Sequence, residues 1–429
     1  MLYERWRQVA QDFRNEIALH DVASGDSWTF AQLAKVVESC DHPSEPIVFP
    51  KGITSEFIFS VLQGWRFHKT ICPLETGQRP PLLTKLSADF VHLKMTSAST
   101  GPACVIAFKA EQLCADADNI VETMKLRRNE PNLGLISLAH SYGFSNLVLP
   151  LLLHGIPLAL ANSTSPETLR RAAKKFESIT LPAIPALWRD WLEENAIPKN
   201  IRLAISAGSL LPLALEKEIF ETTGIKVHNF YGASECGGIA YDQSETPRKD
   251  SRLVGTPMRN VQLKVNANGC LEVHSMAVGE TYFPEASETL ANGCFQTSDL
   301  GELKKDKVLL SGRATEQIHV GGRKVSPEII ETALLAHPDV ADSLVFGIPG
   351  GDAEHGGEII VACVEVHGRL TPEVLKQFLL TKLPAWKVPR EWWLVDSLQT
   401  NGRGKRSRSE WRQSYLKNKS AGDTRFWLR

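Results

Sequence analysis

From Val91 to Asn229 the chain alternates short apolar runs with longer amphipathic stretches, and this alternation limits what it can fold into. Strand-like pieces lie in 91–95 and 106–108 and at Leu135–Ser137, Leu158–Ala161, Ser178–Leu181 and Leu203–Ser206. Helical patterns over 110–127, 144–154, 166–176, 185–195 and 213–223 separate them. Such alternation predicts a layered α/β domain. Upstream, an amphipathic helix opens the chain. A second helix follows Ser27-Trp28-Thr29-Phe30, and a third over 54–68 lies between extended pieces at Pro46–Pro50 and Thr70–Pro73.

After Asn229 the texture becomes β-rich, with expected strands at Gln262–Val265, Cys270–His274, Phe295–Thr297, Gly301–Lys304 and Val308–Ser311. The remainder reads as helix 327–336, strands 342–347 and 358–366, helix 371–382 and strand 391–395. At 429 residues the chain exceeds one ordinary core. The expected fold class is α/β. A large layered N-terminal domain (1–312) holds α/β subdomains and a β-rich subdomain, and a small α+β domain (313–429) follows.

Hydrophobic residues make up 43% and charged residues 23%, as in a water-soluble globular chain, and the formal net charge of -1 gives no global field for nucleic acid or membrane. The opening MLYERWRQVAQDF lacks the apolar core of a secretory signal. The most apolar stretch, Leu147–Ala161, is interrupted by His154, Gly155 and Pro157 and is too short to span a bilayer. A cytoplasmic protein without integral membrane association is expected. Cys40, Cys72, Cys104, Cys114, Cys236, Cys270, Cys294 and Cys363 form no CxxC pair and no zinc-type spacing with histidine, so they read as reduced, packed thiols. Beyond Gly402 the tail is basic and reads as a solvated face, with a phosphate-bearing partner as the alternative.

Five motifs carry chemistry. Thr96-Ser97-Ala98-Ser99-Thr100-Gly101 puts small hydroxyls around a glycine between two strands, which suits a phosphate cradle as well as an ordinary turn; it is not a Walker A loop. Tyr231-Gly232-Ala233-Ser234-Glu235 supplies a ring, a close-approach glycine, a hydroxyl and a carboxylate that can ligate Mg²⁺. Cys236 stands where a nucleophile elbow needs glycine, which disfavours a serine hydrolase. Asp299, in Thr297-Ser298-Asp299-Leu300-Gly301, suits a turn or a ribose diol. Gly312-Arg313 precedes Gly321-Gly322-Arg323-Lys324 and the helix start Ser326-Pro327. Finally, Asn401-Gly402-Arg403-Gly404-Lys405 presents a lysine on a glycine-flanked loop.

In this order the motifs resemble the signature series of the adenylate-forming superfamily: acyl-CoA synthetases, peptide-synthetase adenylation domains and luciferases. SWTFAQL, TSASTG, SLAHSYGFSNLVLPLLLHG, ISAGSLLP, YGASE, TSDLGEL, SGRATEQIHVGGRKVSPEIIE and NGRGKRSR carry the resemblance over nearly the whole chain. It implies that ATP, Mg²⁺ and coenzyme A, or a carrier protein's phosphopantetheine, serve the reaction. Thr96, Ser97, Ser99, Thr100 and Gly101 would hold the ATP phosphates. Ala207, Gly208 and Ser209 would edge the adenine, with Tyr231 and Gly232 against it. Ser234 would bond the α-phosphate, Glu235 would ligate Mg²⁺, and Asp299 and Arg313 would bind the ribose. His140 would sit at the mouth of the acyl pocket. Lys405, on a mobile small domain, would bridge the substrate carboxylate and the α-phosphate. The region before the phosphate loop is short for the family, which implies a compact subdomain.

The chain departs from the pattern at Ala98 (usually glycine), Cys104 (usually lysine), Thr315 at the hinge and His319 (usually lysine). These changes leave open a slower enzyme, an altered phosphate arrangement or a degenerate nucleotide- or acyl-binding protein. Retention of Glu235, Asp299, Arg313 and Lys405 argues for catalysis. His140, Tyr142 and Phe144 include no acid to hold an α-ammonium, so a non-amino carboxylic acid, aryl or fatty, is expected. Coenzyme A is the first expected acceptor, an acyl carrier protein the second, and β-lactone formation a minor option. No nucleic acid partner is expected.

Overall fold

The structure, a computed structural model, describes residues 1–83, 86–96, 104–350, 357–368, 370–398 and 407–420. A 14-stranded sheet dominates it. Its parallel half runs Ile17–Asp21, Leu158–Leu160, Asn132–Gly134, Ile179–Ala183, Ile201–Ser206 and Val227–Ala233 in spatial order. These strands are apolar because both faces are covered: Leu133, Ala159, Ile179, Leu181 and Ala204 meet Trp188 and Trp191 on one side, and Leu158, Leu160, Leu203 and Ile205 face the other core. Each indole finds a carbonyl, with Trp188 Nε1 donating to Ile205 O (3.2 Å) and Trp191 Nε1 to Thr164 O (2.9 Å).

Past Val227–Ala233 the sheet continues antiparallel through Gly237–Tyr241, Leu253–Pro257, Lys307–Arg313, Cys294–Lys304, Cys270–His274 and Gln262–Val265. A buried charge network supports this junction. Lys226 Nζ lies 2.7 Å from Glu216 and 2.6 Å from Asp242, and Arg248 Nε lies 2.8 Å from Glu216. Every charge in it has an opposite partner, which is what makes burial tolerable.

The second sheet orders Thr281–Phe283, Val105–Phe108, His92–Met95, Thr70–Ile71 and Ile47–Val48. Thr29 caps the helix Phe30–Glu38 reciprocally, accepting from Gln32 N at 3.2 Å while Gln32 Oε1 accepts from Thr29 N at 2.8 Å. Three elements differ from the sequence expectation, each for a local reason. The expected strand Leu135–Ser137 is Asn132–Gly134, because the ladder ends before the apolar run that follows it. The expected helix 144–154 opens as a π-turn, Phe144–Val148, before Leu149–His154. Pro150 has no N–H for Asn146 O, and Asn132 Nδ2 donates to that carbonyl instead (3.1 Å). The expected strands Phe295–Thr297 and Gly301–Lys304 are one strand, Cys294–Lys304, whose register shifts between Asp299 and Gly301.

After the turn Ala314–Glu316 comes a smaller body: the hairpin Ile318–Val320/Arg323–Val325, helices Pro327–Leu334 and Pro372–Leu380, and the three-stranded sheet Val340–Pro349, Glu358–Val366, Glu391–Val395. The basic tail departs from the solvated-face reading at Arg408. Residues Arg408–Ser420 form a helix whose Tyr415 is buried; Arg408 is engaged by Glu316, Glu328 and Glu331, while Lys417 and Lys419 are exposed, and Arg403, Lys405, Arg406, Arg425 and Arg429 lie outside the described residues. Among the described residues no helix is long and apolar enough to cross a membrane.

Candidate active site

Parallel strands leave their C-terminal ends open to ligands, because the connecting loops diverge there. In this chain a cleft of about 1500 Å³ opens at those ends and extends to the smaller body. Ile179–Ala183 leads to Pro185, Ile201–Ser206 leads to Ala207-Gly208-Ser209, and Val227–Ala233 carries Tyr231, Gly232 and Ala233 into Ser234 and Glu235; all line the cleft. Gly208 takes φ +88°, open to glycine at little cost. A Cβ on Gly232 would come within 2.6 Å of Gly237 O, so the returning strand requires glycine there.

Tyr231, Asp299 and Arg313 form one hydrogen-bonded group. Tyr231 Oη donates to Asp299 Oδ2 at 2.5 Å, and Arg313 Nε donates to Asp299 Oδ1 at 3.0 Å. The irregular register places Asp299 across from Arg313 on the neighbouring strand, and Thr297 Oγ1 accepts from Asp299 N at 3.1 Å. Burial, followed by the Asp299 carboxylate, pushes the Tyr231 phenol well up, so it stays a hydrogen-bond donor. The Arg313 side chain remains 47% exposed and within reach of a ligand.

Ser234 and Glu235 are each held by a residue that was not among the expected site residues. Ser234 Oγ shares a hydrogen bond with Ser141 Oγ at 3.0 Å. Tyr282 Oη donates to Glu235 Oε1 at 3.1 Å. Tyr282 arrives on Thr281–Phe283, a strand that leaves the β-rich region to pair with Val105–Phe108. No local spacing could have linked it to Glu235. His140 caps the turn Ser141–Gly143, its Nδ1 accepting from Tyr142 N at 3.3 Å.

A further cluster lies beneath these loops. Lys94, two residues before Thr96, is buried beside Phe108, 3.5 Å from Ser145 Oγ and 3.9 Å from Asp116 Oδ2. Asp116 also accepts from Ser145 Oγ (2.5 Å) and from Gly238 N (3.2 Å). It thereby ties the Glu235 loop to the helix behind His140. Burial pulls the Lys94 ammonium down, against the pull of Asp116. Composition marked Lys94 only as one lysine among many.

Thr96 closes the neck of the phosphate-loop motif, its N and Oγ1 both donating to Cys104 O (2.9 and 3.1 Å). Ser97, Ala98, Ser99, Thr100 and Gly101 lie outside the described residues, as does Lys405. The other expected residues (His140, Ala207, Gly208, Ser209, Tyr231, Gly232, Ser234, Glu235, Asp299 and Arg313) line this one cleft. The donors fit Mg²⁺, which takes one or two carboxylates together with substrate phosphate oxygens rather than an all-protein cage. Glu235 is such a carboxylate at the cleft wall, oriented by Tyr282.

Comparison with known proteins places the chain in a family. The model of the AMP-binding enzyme family matches residues 62–293, and that of the AMP-binding enzyme C-terminal domain matches 329–405. The chain is 28% identical over 352 residues to an oxalate–CoA ligase of Arabidopsis thaliana, covering 76% of this chain and 67% of that protein. It is 27% identical over 340 residues to a 2-succinylbenzoate–CoA ligase of Bacillus cereus (strain ZK / E33L), covering 74% and 68%. The chain spans half to two-thirds of the length of the first curated relatives it matches. Among solved structures, ATP-bound MatB from Rhodopseudomonas palustris superposes with a TM-score of 0.84 at 18% identity, covering 97% of this chain and 99% of that one. The o-succinylbenzoate–CoA synthetase of Bacillus subtilis, bound to its acyl-adenylate, gives 0.81 at 19% identity, covering 95% and 97%. The family model over 62–293 spans more than half of the sequence, and the cleft residues from Thr96 to Glu235 lie within the part it matches: the chain belongs to the AMP-binding enzyme family.

Proposed function

We propose that this enzyme uses ATP to convert a non-amino carboxylic acid, aryl or fatty, to its acyl-adenylate and passes the acyl group to coenzyme A. The observation that carries the reading is the Tyr231–Asp299–Arg313 group, hydrogen-bonded on the cleft that Ser234 and Glu235 also line. The curated relatives named above are ligases of an acid to coenzyme A, which favours that acceptor over a carrier protein.

In the first half-reaction a substrate carboxylate oxygen bonds to the α-phosphorus, and the bond from that phosphorus to the pyrophosphate oxygen breaks. Both reactants are anionic, so the site must supply positive charge where negative charge accumulates. Asp299 and Arg313 hold the ribose hydroxyls, Ala207-Gly208-Ser209 edge the adenine, and Tyr231 and Gly232 pack against it. Ser234 donates to the α-phosphate, and Thr96, Ser97, Ser99, Thr100 and Gly101 cradle the phosphates. Glu235 holds Mg²⁺, which when bound offsets phosphate charge. His140 borders the acyl end, and Lys405 bridges the carboxylate and the α-phosphate. In the second half-reaction the thiol sulfur bonds to the acyl carbon, AMP leaves with the oxygen that joined them, and the thiol proton passes to solvent. The segment 313–429 acts as the small domain that exchanges Lys405 for the acceptor-facing side.

Isotope exchange between pyrophosphate and ATP with a panel of aryl and fatty acids tests the first step, and acyl-CoA detected by mass after adding coenzyme A tests the second. Exchange with at least one acid is expected; nucleotide binding without exchange would leave only a binding protein. Lys405→Ala should lower exchange by roughly 10²–10³-fold, the usual effect of losing one preorganised donor to developing charge. Near wild-type exchange in that variant would remove Lys405 from the mechanism.

A further inference from the structure

The strand Cys270–His274 turns Leu271 and Val273 into the core and leaves Glu272 and His274 on its outer face, with side chains 23% and 33% exposed. The neighbouring strand Cys294–Lys304 turns Phe295 inward and places Cys294 directly across from His274. Pleat and register together bring an imidazole, a thiol and a carboxylate to one patch that no spacing along the chain announces. His274 Nε2 lies 3.9 Å from Cys294 Sγ and 3.7 Å from Glu272 Oε2, and one ligand atom from each residue lies within 4.8 Å of the other two.

These separations are too long for good hydrogen bonds, so the three groups converge without saturating one another. They approach what a metal ion demands. Bonds of about 2.0–2.3 Å at tetrahedral angles hold nitrogen, sulfur and oxygen ligands roughly 3.3–3.6 Å apart. Side-chain rotations of a few tenths of an ångström would close the two His274 separations, and a somewhat larger one, up to about 1 Å, the Glu272–Cys294 separation. We propose that Glu272, His274 and Cys294 form a binding site for a borderline-soft divalent cation of the Zn²⁺ class, with the fourth position open to solvent.

The donors set the selectivity. Thiolate and imidazole favour Zn²⁺ and Co²⁺ over Mg²⁺ and Ca²⁺, which prefer all-oxygen shells, so this site is chemically distinct from the one at Glu235. Binding replaces the Cys294 S–H with an S–metal bond and releases that proton to solvent. Burial and the Glu272 carboxylate push the thiol up, and Lys264, across from Glu272 on Gln262–Val265, pulls it down. A bound cation opposes the first two influences directly. The ion would clip together two adjacent strands, one of which continues to Asp299.

Cobalt titration of the full, reduced chain without nucleotide tests the site independently of any acid or coenzyme A. The expected result is one equivalent of Co²⁺ with a sulfur-to-cobalt charge-transfer band, displaced by Zn²⁺ and unaffected by excess Mg²⁺. Cys294→Ser should abolish the band, and His274→Ala and Glu272→Gln should each weaken binding about 10-fold or more. Cys40→Ser, altering a thiol far along the chain, should leave it unchanged. All three ligands are half-exposed, so the variants should keep the thermal midpoint of the metal-free parent, and Zn²⁺ should raise that midpoint only in the parent. Absence of a stoichiometric band, or a band that survives Cys294→Ser, overturns the proposal.

Discussion

At the scale of single residues, Asp299 has the most to do. One carboxylate accepts from the Tyr231 phenol and from the Arg313 guanidinium, and both of those donors also line the cleft. Asp299→Asn keeps the size but removes the charge and turns one oxygen into a donor facing another donor. Hydrogen bonds to charged groups contribute about 1.5–3 kcal/mol, so KM for ATP should rise roughly 10- to 100-fold. KM for the acid should change little, because the proposed role of Asp299 is at the ribose and not at the acyl group. Steady-state kinetics with each substrate varied in turn checks this, and an equal rise in both constants would place Asp299 elsewhere. The sequence showed Asp299 as a candidate from its turn-like context, but its partner Tyr231 lies 68 positions away and is joined only by the sheet. The same limit hid Tyr282, Ser141 and Lys94, whose roles depend on contacts that no motif spans.

The elements show where local rules sufficed and where they did not. Strands Gln262–Val265, Cys270–His274 and Glu391–Val395 stand where apolar runs and turn residues put them; Cys270–His274 buries Leu271 and Val273 on one face, whereas Glu391–Val395 buries Trp392 and Trp393 in two different cores. The tail helix Arg408–Ser420 was illegible for the opposite reason. Its charges dominate the pattern, and only tertiary contacts reveal that Arg408 is surrounded by Glu316, Glu328 and Glu331. Three carboxylates around one guanidinium have a titration consequence. Burial, partly opposed by Arg408 and reinforced by Glu331, pushes Glu328 from 4.5 up to about 7, and among the described residues its buried Oε2 has no hydrogen-bond partner. A group whose folded pKa is raised favours the folded state fully below the unfolded value and loses that advantage as pH rises through the folded one. Stability contributed by Glu328 should therefore fall between about pH 4.5 and 7. The full shift would amount to about 3 kcal/mol, and residual solvent access reduces it to about 1–2 kcal/mol. Glu328→Gln should flatten this part of the profile, so that the variant gains on the parent at pH 8 relative to pH 5 in urea unfolding. Parallel profiles would show that Glu328 titrates normally.

For the whole molecule the question is what holds the two bodies around their shared cleft. Apart from the chain connection at Ala314–Glu316, a polar contact joins them at Arg189. Arg189, on helix Pro185–Glu193 of the larger body, donates through Nη1 to Ala341 O at 3.0 Å and lies 3.6 Å from Asp342 Oδ2 on strand Val340–Pro349 of the smaller one. Asp342 is nearly buried and Arg189 partly so, so the pair is shielded from salt more than a surface bridge would be. At the other side the bodies meet closely: a Cβ on Gly312 would fall 2.4 Å from Glu328 Oε2. Arg189→Ala removes the contact on its own side while leaving the Gly312 side intact, so the smaller body should pivot rather than detach. The lost charge-assisted hydrogen bond corresponds to about 1.5 kcal/mol, or roughly tenfold in the population of the undocked arrangement. Limited proteolysis of the connecting segment 314–317 should accelerate by about that factor, since cleavage follows the open population when opening is fast. The global unfolding midpoint should move little, because each body keeps its own core. Unchanged cleavage would mean that docking rests on the Gly312 side alone, and a lowered midpoint with unchanged cleavage would make Arg189 a fold residue of its own helix.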